Sequence, residues 1–206
     1  MAVRIWNSVR SWLGCIKRGL LMQRPLGLAS LGPRSILQHP RRLCGRASIQ
    51  IGKDTLVLAH SSLLAITEEN GRSYRPSIQI GDGVYIGKHV YLTAIQGITL
   101  SDGCVLSEHV YITDLSHGFD PLSGPIMTQR LESKGPIWIG PNCFLGYRAA
   151  VMPGVTLGEW CIVGANSVVT RSFPAYSMIA GSPARLLKVY SHTLQQWVAP
   201  DALKSS

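Results

Sequence analysis

Residues 1–46 contain no Asp or Glu, the chain as a whole has no CxxC pair, and no apolar run approaches the length of a membrane span. Each absence excludes something. A bilayer-crossing helix needs roughly 20 apolar residues, so none is expected. The start of the chain also lacks the apolar core and small-residue cleavage site of a secretory signal. Five cysteines (Cys15, Cys44, Cys104, Cys143, Cys161) without pairing motifs argue against a disulfide framework and against a zinc knuckle. A cytoplasmic protein is expected, held peripherally at the inner face of a membrane if its leader binds lipid.

What is present is unevenly distributed. Nine Lys/Arg fall within residues 1–46, while from Ala47 onward there are eleven charges of each sign, so the net charge of +9 belongs to the leader alone. Ile5, Trp6, Val9, Trp12, Leu13, Ile16 and Leu20 recur at helical spacing, with Arg4, Arg10, Lys17 and Arg18 between them. This pattern predicts a basic amphipathic helix. Two uses fit it: a membrane-surface element, or a helix packed on the body or on a neighbouring subunit. Nucleic acid is excluded as a partner, because the body is neutral and no recognition module is present.

From Ile51 a six-residue period organises the chain. Three aliphatic columns result: Ile51, Ile80, Leu100, Ile139, Leu157; then Val57, Ile86, Leu106, Leu145, Val163; then Leu63, Leu92, Ile112, Val151, Val169. A period of six matches neither a helix nor an alternating strand. It predicts an all-β solenoid of short parallel strands, each coil burying its apolar side chains against the next. Glycine often follows the aliphatic, as in Ile51-Gly52, Ile80-Gly81 and Leu145-Gly146, which suggests permissive backbone for turning a corner. Cys104, Cys143 and Cys161 fall four residues after an aliphatic of the first column and are expected to be small core hydrophobes.

The period breaks three times. There are eleven extra residues between Leu63 and Ile80, two between Leu92 and Leu100, and a long Gly/Pro-rich stretch from about His117 to Pro136. A long unpatterned loop within a tight repeat usually has a function. The domain reading is therefore a basic amphipathic segment over 1–46, a solenoid over 47–184 with its loop at about 117–136, and a tail over 185–206 that ends in a short closing helix.

The repeats, together with SHGFDP at 116–121, KGPIWIG at 134–140, PGVTLGEWCIVGANSVVTRSFP at 153–174 and AGSPARLLK at 180–188, resemble the hexapeptide-repeat acyltransferases, in particular galactoside, maltose and capsule or O-antigen sugar O-acetyltransferases. The resemblance covers residues 47–188. It implies a left-handed parallel β-helix, here of about five coils, an exception to the usual right-handed crossover. It further implies a homotrimer with sites between neighbouring prisms, acetyl-CoA as donor, and no metal.

The resemblance also assigns residues. His117 stands at the position of the family's catalytic histidine, and an imidazole titrates near neutral pH, so it can take a proton from an acceptor hydroxyl that attacks the thioester. Asp114 and Asp120 are candidates for orienting that imidazole. Gly146, Ala165, Thr170, Arg171, Arg185 and Lys188 match donor-binding positions, and Thr93 and Thr113 stack beside the histidine as acceptor-contact candidates. An asparagine that related enzymes carry near Thr93 is missing here. His89 and His109, twenty residues apart, should stack. A zinc site like that of the γ-class carbonic anhydrases is disfavoured, because Leu122 stands where a partner of His117 would be. The expected function is acetyl transfer to a sugar or polysaccharide-precursor hydroxyl. The alternatives are transfer to an amine or a serine hydroxyl, and a non-catalytic scaffold.

Overall fold

The structure, a computed structural model, describes residues 27–203. It is a parallel β-helix whose short strands form three sheets along the faces of a prism. The first sheet stacks Ser30–Leu31, Ile49–Ile51, Ser77–Ile80, Gly97–Leu100, Ile137–Ile139 and Thr156–Leu157. The second and third follow in the same order one face on. In the third, for example, Leu43, Leu63, Leu92, Ile112, Val151 and Val169 lie in register across successive coils. All fifteen residues of the predicted columns are buried, none more than 3% exposed. A period of six closes one face per hexad and aims one aliphatic inward each time, so successive coils share one apolar core.

The prism begins earlier than the sequence predicts. Ser30–Leu31, Ile36–Leu37 and Arg42–Cys44 form a first coil that pairs with the coil starting at Ile49. Thus Leu31, Leu37 and Leu43 extend the three columns, the first and third sheets hold six strands each rather than about five, and residues 30–44 are solenoid instead of leader. The predicted amphipathic helix over Ile5–Leu20 lies outside the described residues. The tail differs too. Ser177–Gly181, Ala184–Ser191 and Gln196–Val198 extend the second sheet, the last two by antiparallel pairing, and among the described residues of the tail only Pro200–Leu203 is helical, as a 3-10 turn. At that end the added strands pair onto the edge of the second sheet.

Glycine after the aliphatic serves close approach rather than turning. Gly52 and Gly146 have no positive φ, but a Cβ on Gly52 would lie 2.6 Å from the Gly81 carbonyl carbon, and one on Gly146 2.7 Å from Ala165 N. The left-handed residue comes three places after the aliphatic, as at Asp54, Gly83, His89, His109, Asn142 and Asn166. Cys104, Cys143 and Cys161 are fully buried, and each thiol donates to a carbonyl of the next coil, those of Gly140, Gly158 and Pro174. The Cys104 thiol pushes Cys143 up to about 12. These are core groups, as the spacing indicates.

All three breaks in the period leave from one corner, where a third-sheet strand hands over to the first sheet. The first insertion is a hairpin, Glu68–Glu69 with Arg72–Ser73, turned by Asn70 and Gly71, both left-handed. The second is the Ile95–Gly97 connection. The third runs from Leu115 to Pro136. Asn70 Nδ2 donates to Met127 O at 3.0 Å, and Leu131 N donates to the Tyr74 hydroxyl at 3.2 Å, so the first insertion braces the third.

Candidate active site

His117 occupies the root of the third insertion. After Tyr111–Thr113 the Thr113 hydroxyl donates to Leu115 O at 3.0 Å and accepts from Leu115 N at 3.2 Å, turning the chain out of the coil. Ser116–His117 then pairs antiparallel with the returning Leu131–Glu132, and His117 stands opposite Leu131. Opposed residues of such a pair share a face, so the imidazole lies beside the buried Leu131 side chain. The ring is half-buried. Its Nδ1 is enclosed and has no hydrogen-bond partner among the described residues, leaving Nε2 as the accessible nitrogen. An enclosed, unpaired polar atom costs about 1–3 kcal/mol, and such exceptions call for an explanation, a catalytic role among them.

Asp114 does something other than orient this ring. Its carboxylate is fully buried and accepts from Ile95 N at 2.8 Å, Gln96 N at 2.8 Å and Gly97 N at 2.6 Å. Burial pushes the carboxyl up from the ordinary carboxylate range, while the three amides pull it down. The residue pins the two-residue excess of the preceding coil, whose amides have left the ladder. Asp120 is likewise committed: it accepts from Leu122 N and the Ser123 hydroxyl in a local turn, and these bonds hold its carboxyl below the usual range.

Sequence reasoning missed Gln129, the residue that organises the loop. Only 7% exposed, it accepts from Asp120 N at 3.0 Å and donates to Asp120 O at 2.8 Å and Gly124 O at 2.7 Å. Nothing in its local sequence marks it, because its three bonds go to residues placed by the fold. Beyond it the tip exposes Phe119, Leu122, Ile126 and Met127.

The remaining candidates separate into groups. Thr93 and Thr113 are register partners on the third sheet, as predicted, but both are buried, and the Thr113 hydroxyl is spent in its turn. Gly146 and Ala165 adjoin on successive coils, and Ala180, next to them through Gly164, is the register partner of Arg185. Arg185 and Lys188 are exposed, with Arg185 Nη1 donating to Ala184 O at 3.1 Å. Thr170 and Arg171 stand at a different corner, after Val168–Val169, with the Arg171 guanidinium 5.2 Å from the Phe173 ring centre. The structure therefore groups Gly146, Ala165 and Arg185, and sets Thr170 and Arg171 apart.

His89 and His109 stack at 4.8 Å, and His60, hidden from the spacing by the first insertion, extends the ladder at 5.1 Å. Among the described residues no cluster of three His, Cys, Asp or Glu could hold a metal ion. A depression of ≈ 440 Å³ over Gln50, Gln79 and Thr99 on the outer first sheet is lined by no residue of the insertion corner.

Comparison with known proteins agrees with this architecture. The family described as "Hexapeptide repeat of succinyl-transferase" matches residues 77–114 and 136–171. A putative lipopolysaccharide biosynthesis O-acetyl transferase of Escherichia coli is 35% identical over 130 residues, covering 60% of this chain and 66% of that one. A putative acetyltransferase of Staphylococcus aureus is 38% identical over 121 residues, 59% of each chain. The matches thus span less than two thirds of these relatives' own length. Among solved structures, an N-acyltransferase from Bacillus cereus superposes with a TM-score of 0.68 at 19% identity, covering 87% of this chain and 93% of that one. A maltose O-acetyltransferase from Clostridium difficile gives 0.52 at 18% identity, covering 89% and 87%. The chain thus carries the hexapeptide repeat over residues 77–114 and 136–171, folds as three parallel sheets, and is similar to the hexapeptide-repeat acyltransferases.

Proposed function

We propose that this protein transfers an acetyl group from acetyl-CoA to a hydroxyl of a sugar or polysaccharide precursor, with His117 as general base. The observation that carries the reading is the imidazole itself, half-buried at the root of the longest insertion with Nδ1 enclosed and Nε2 accessible. Nε2 takes the hydroxyl proton as the oxygen attacks the thioester carbonyl. The tetrahedral intermediate then expels the thiolate, which recovers the proton from the imidazolium, giving an ester and free CoA thiol. The oxyanion needs backbone N–H donors other than those of Ile95, Gln96 and Gly97, which Asp114 already engages. The names of the relatives favour a saccharide acceptor, and the solved N-acyltransferase complexes contain coenzyme A.

Donor binding is assigned to Gly146, Ala165 and Arg185 along one corner, where the exposed Arg185 is available to a phosphate. Lys188 lies on the same strand as Arg185, whereas Thr170 and Arg171 would join them through a neighbouring prism. A homotrimer accords with the outer face of the second sheet, where Ile36, Leu56, Tyr85, Val105, Phe144 and Ile162 form an apolar row. Among the described residues no helix is long and apolar enough to cross a membrane, and peripheral contact through residues 1–46 remains part of the proposal.

Transfer to an amine is the second reading, favoured by the likeness to an N-acyltransferase. Incubation with acetyl-CoA and a panel of neutral, acidic and amino sugars, followed by thiol release and mass spectrometry, tests both. An alkali-labile ester supports the first reading, and a stable amide on the amino sugar alone overturns it.

A further inference from the structure

The two long insertions meet around a cavity of ≈ 500 Å³ that the chemistry above does not use. Its size lies in the ordinary range for small-molecule sites. The first insertion contributes Arg72 and Tyr74, the Asp114-braced connection Gln96, and the returning strand Glu132 and Ser133. Ile95 and Leu131, 5% and 8% exposed, form its apolar floor. Leu131 is also the residue opposite His117, so one two-stranded ribbon carries both the cavity floor and the imidazole.

We propose that this cavity is the acceptor subsite and that it takes a saccharide bearing an anionic group, either a carboxylate or a phosphate. The assignment rests on the acyl-transfer reading. An apolar floor ringed by hydroxyl, amide and carboxylate groups suits a sugar, which has a C–H face and a polar rim. The charge requirement comes from the two arginines. Arg130 is committed to Glu132 at 3.0 Å, whereas Arg72 makes no ion pair among the described residues, although Glu69 stands opposite it in the hairpin. An unengaged guanidinium on a cavity rim is a fork for two oxygens of a carboxylate or phosphate. No repeat requires these residues. They enter through the two insertions, which the solenoid does not need for its core.

Calorimetric titration of the full chain with galacturonic acid, galactose 1-phosphate and neutral galactose tests this, for the native protein and for Arg72→Gln. At least one charged probe should bind the native protein tenfold or more tightly than galactose does, and Arg72→Gln should remove that advantage while its melting curve stays unchanged. Which charged probe binds identifies the anion. Saturating coenzyme A should leave the binding intact. Equal affinity for charged and neutral probes, full binding by Arg72→Gln, or displacement by coenzyme A would overturn the assignment, the last by making the cavity a donor-phosphate site. These readouts need no turnover, so binding without acetyl transfer would defeat the enzymatic reading while leaving the subsite standing.

Discussion

His117 and Leu131 face each other across an antiparallel pair that closes the base of the third insertion, and the Leu131 amide is held from behind by the Tyr74 hydroxyl. The imidazole is thus placed by a residue fifty-seven positions away from its strand partner in sequence. Tyr74→Phe leaves that amide without its acceptor, at a cost of about 1 kcal/mol. If the whole cost reaches the reaction barrier, turnover falls about fivefold. Steady-state kinetics should show the drop with no large change in melting temperature, because the core is untouched.

Gln129→Leu keeps the side chain's bulk and removes three hydrogen bonds from the loop tip. The expected result is faster proteolytic cleavage within residues 118–128. Global unfolding should stay within about 1 kcal/mol of native, since loops open independently of a core.

Asp114→Asn puts an amide nitrogen where an oxygen now accepts from backbone N–H groups. Leaving a buried donor unpaired should destabilise the protein by about 1–3 kcal/mol in denaturant titration. A role confined to orienting His117 would instead lower turnover and leave stability unchanged.

Leu37→Ala tests the first coil. Leu37 is 6% exposed and in register with Val57, so its truncation should cost about 2–5 kcal/mol, toward the low end near the edge of a solenoid. A leader separate from the prism would give no measurable change.

Much of this fold was legible because a hexad repeat is a local rule with a global result: Ile80, Ile86 and Leu92 determine three faces by spacing alone. The first coil was obscured because Leu31, Leu37 and Leu43 keep the same spacing but sit among nine basic residues, next to a helical pattern. Glycine's role was misjudged for a geometric reason. The close approach of Gly146 to Ala165 is a contact between coils, whereas the left-handed turn falls two residues later, at Arg148. At the candidate site, the place of His117 at the root of the third insertion could be read from the chain, but the bonds of Asp114 could not, because its partners Ile95, Gln96 and Gly97 come from the coil before. The two-residue excess between Leu92 and Leu100 was the available signal: extra residues at a corner carry amides that something must satisfy.

In the proposed reaction the His117 imidazole removes the acceptor's proton during acetyl transfer. Its most direct test is the rate of saccharide-dependent thiol release from acetyl-CoA by the native protein and by His117→Ala, with melting curves measured on both. The expected result is a loss of about 10²–10⁴-fold with superimposable melting curves. A folded variant that turns over within tenfold of the native rate would contradict it.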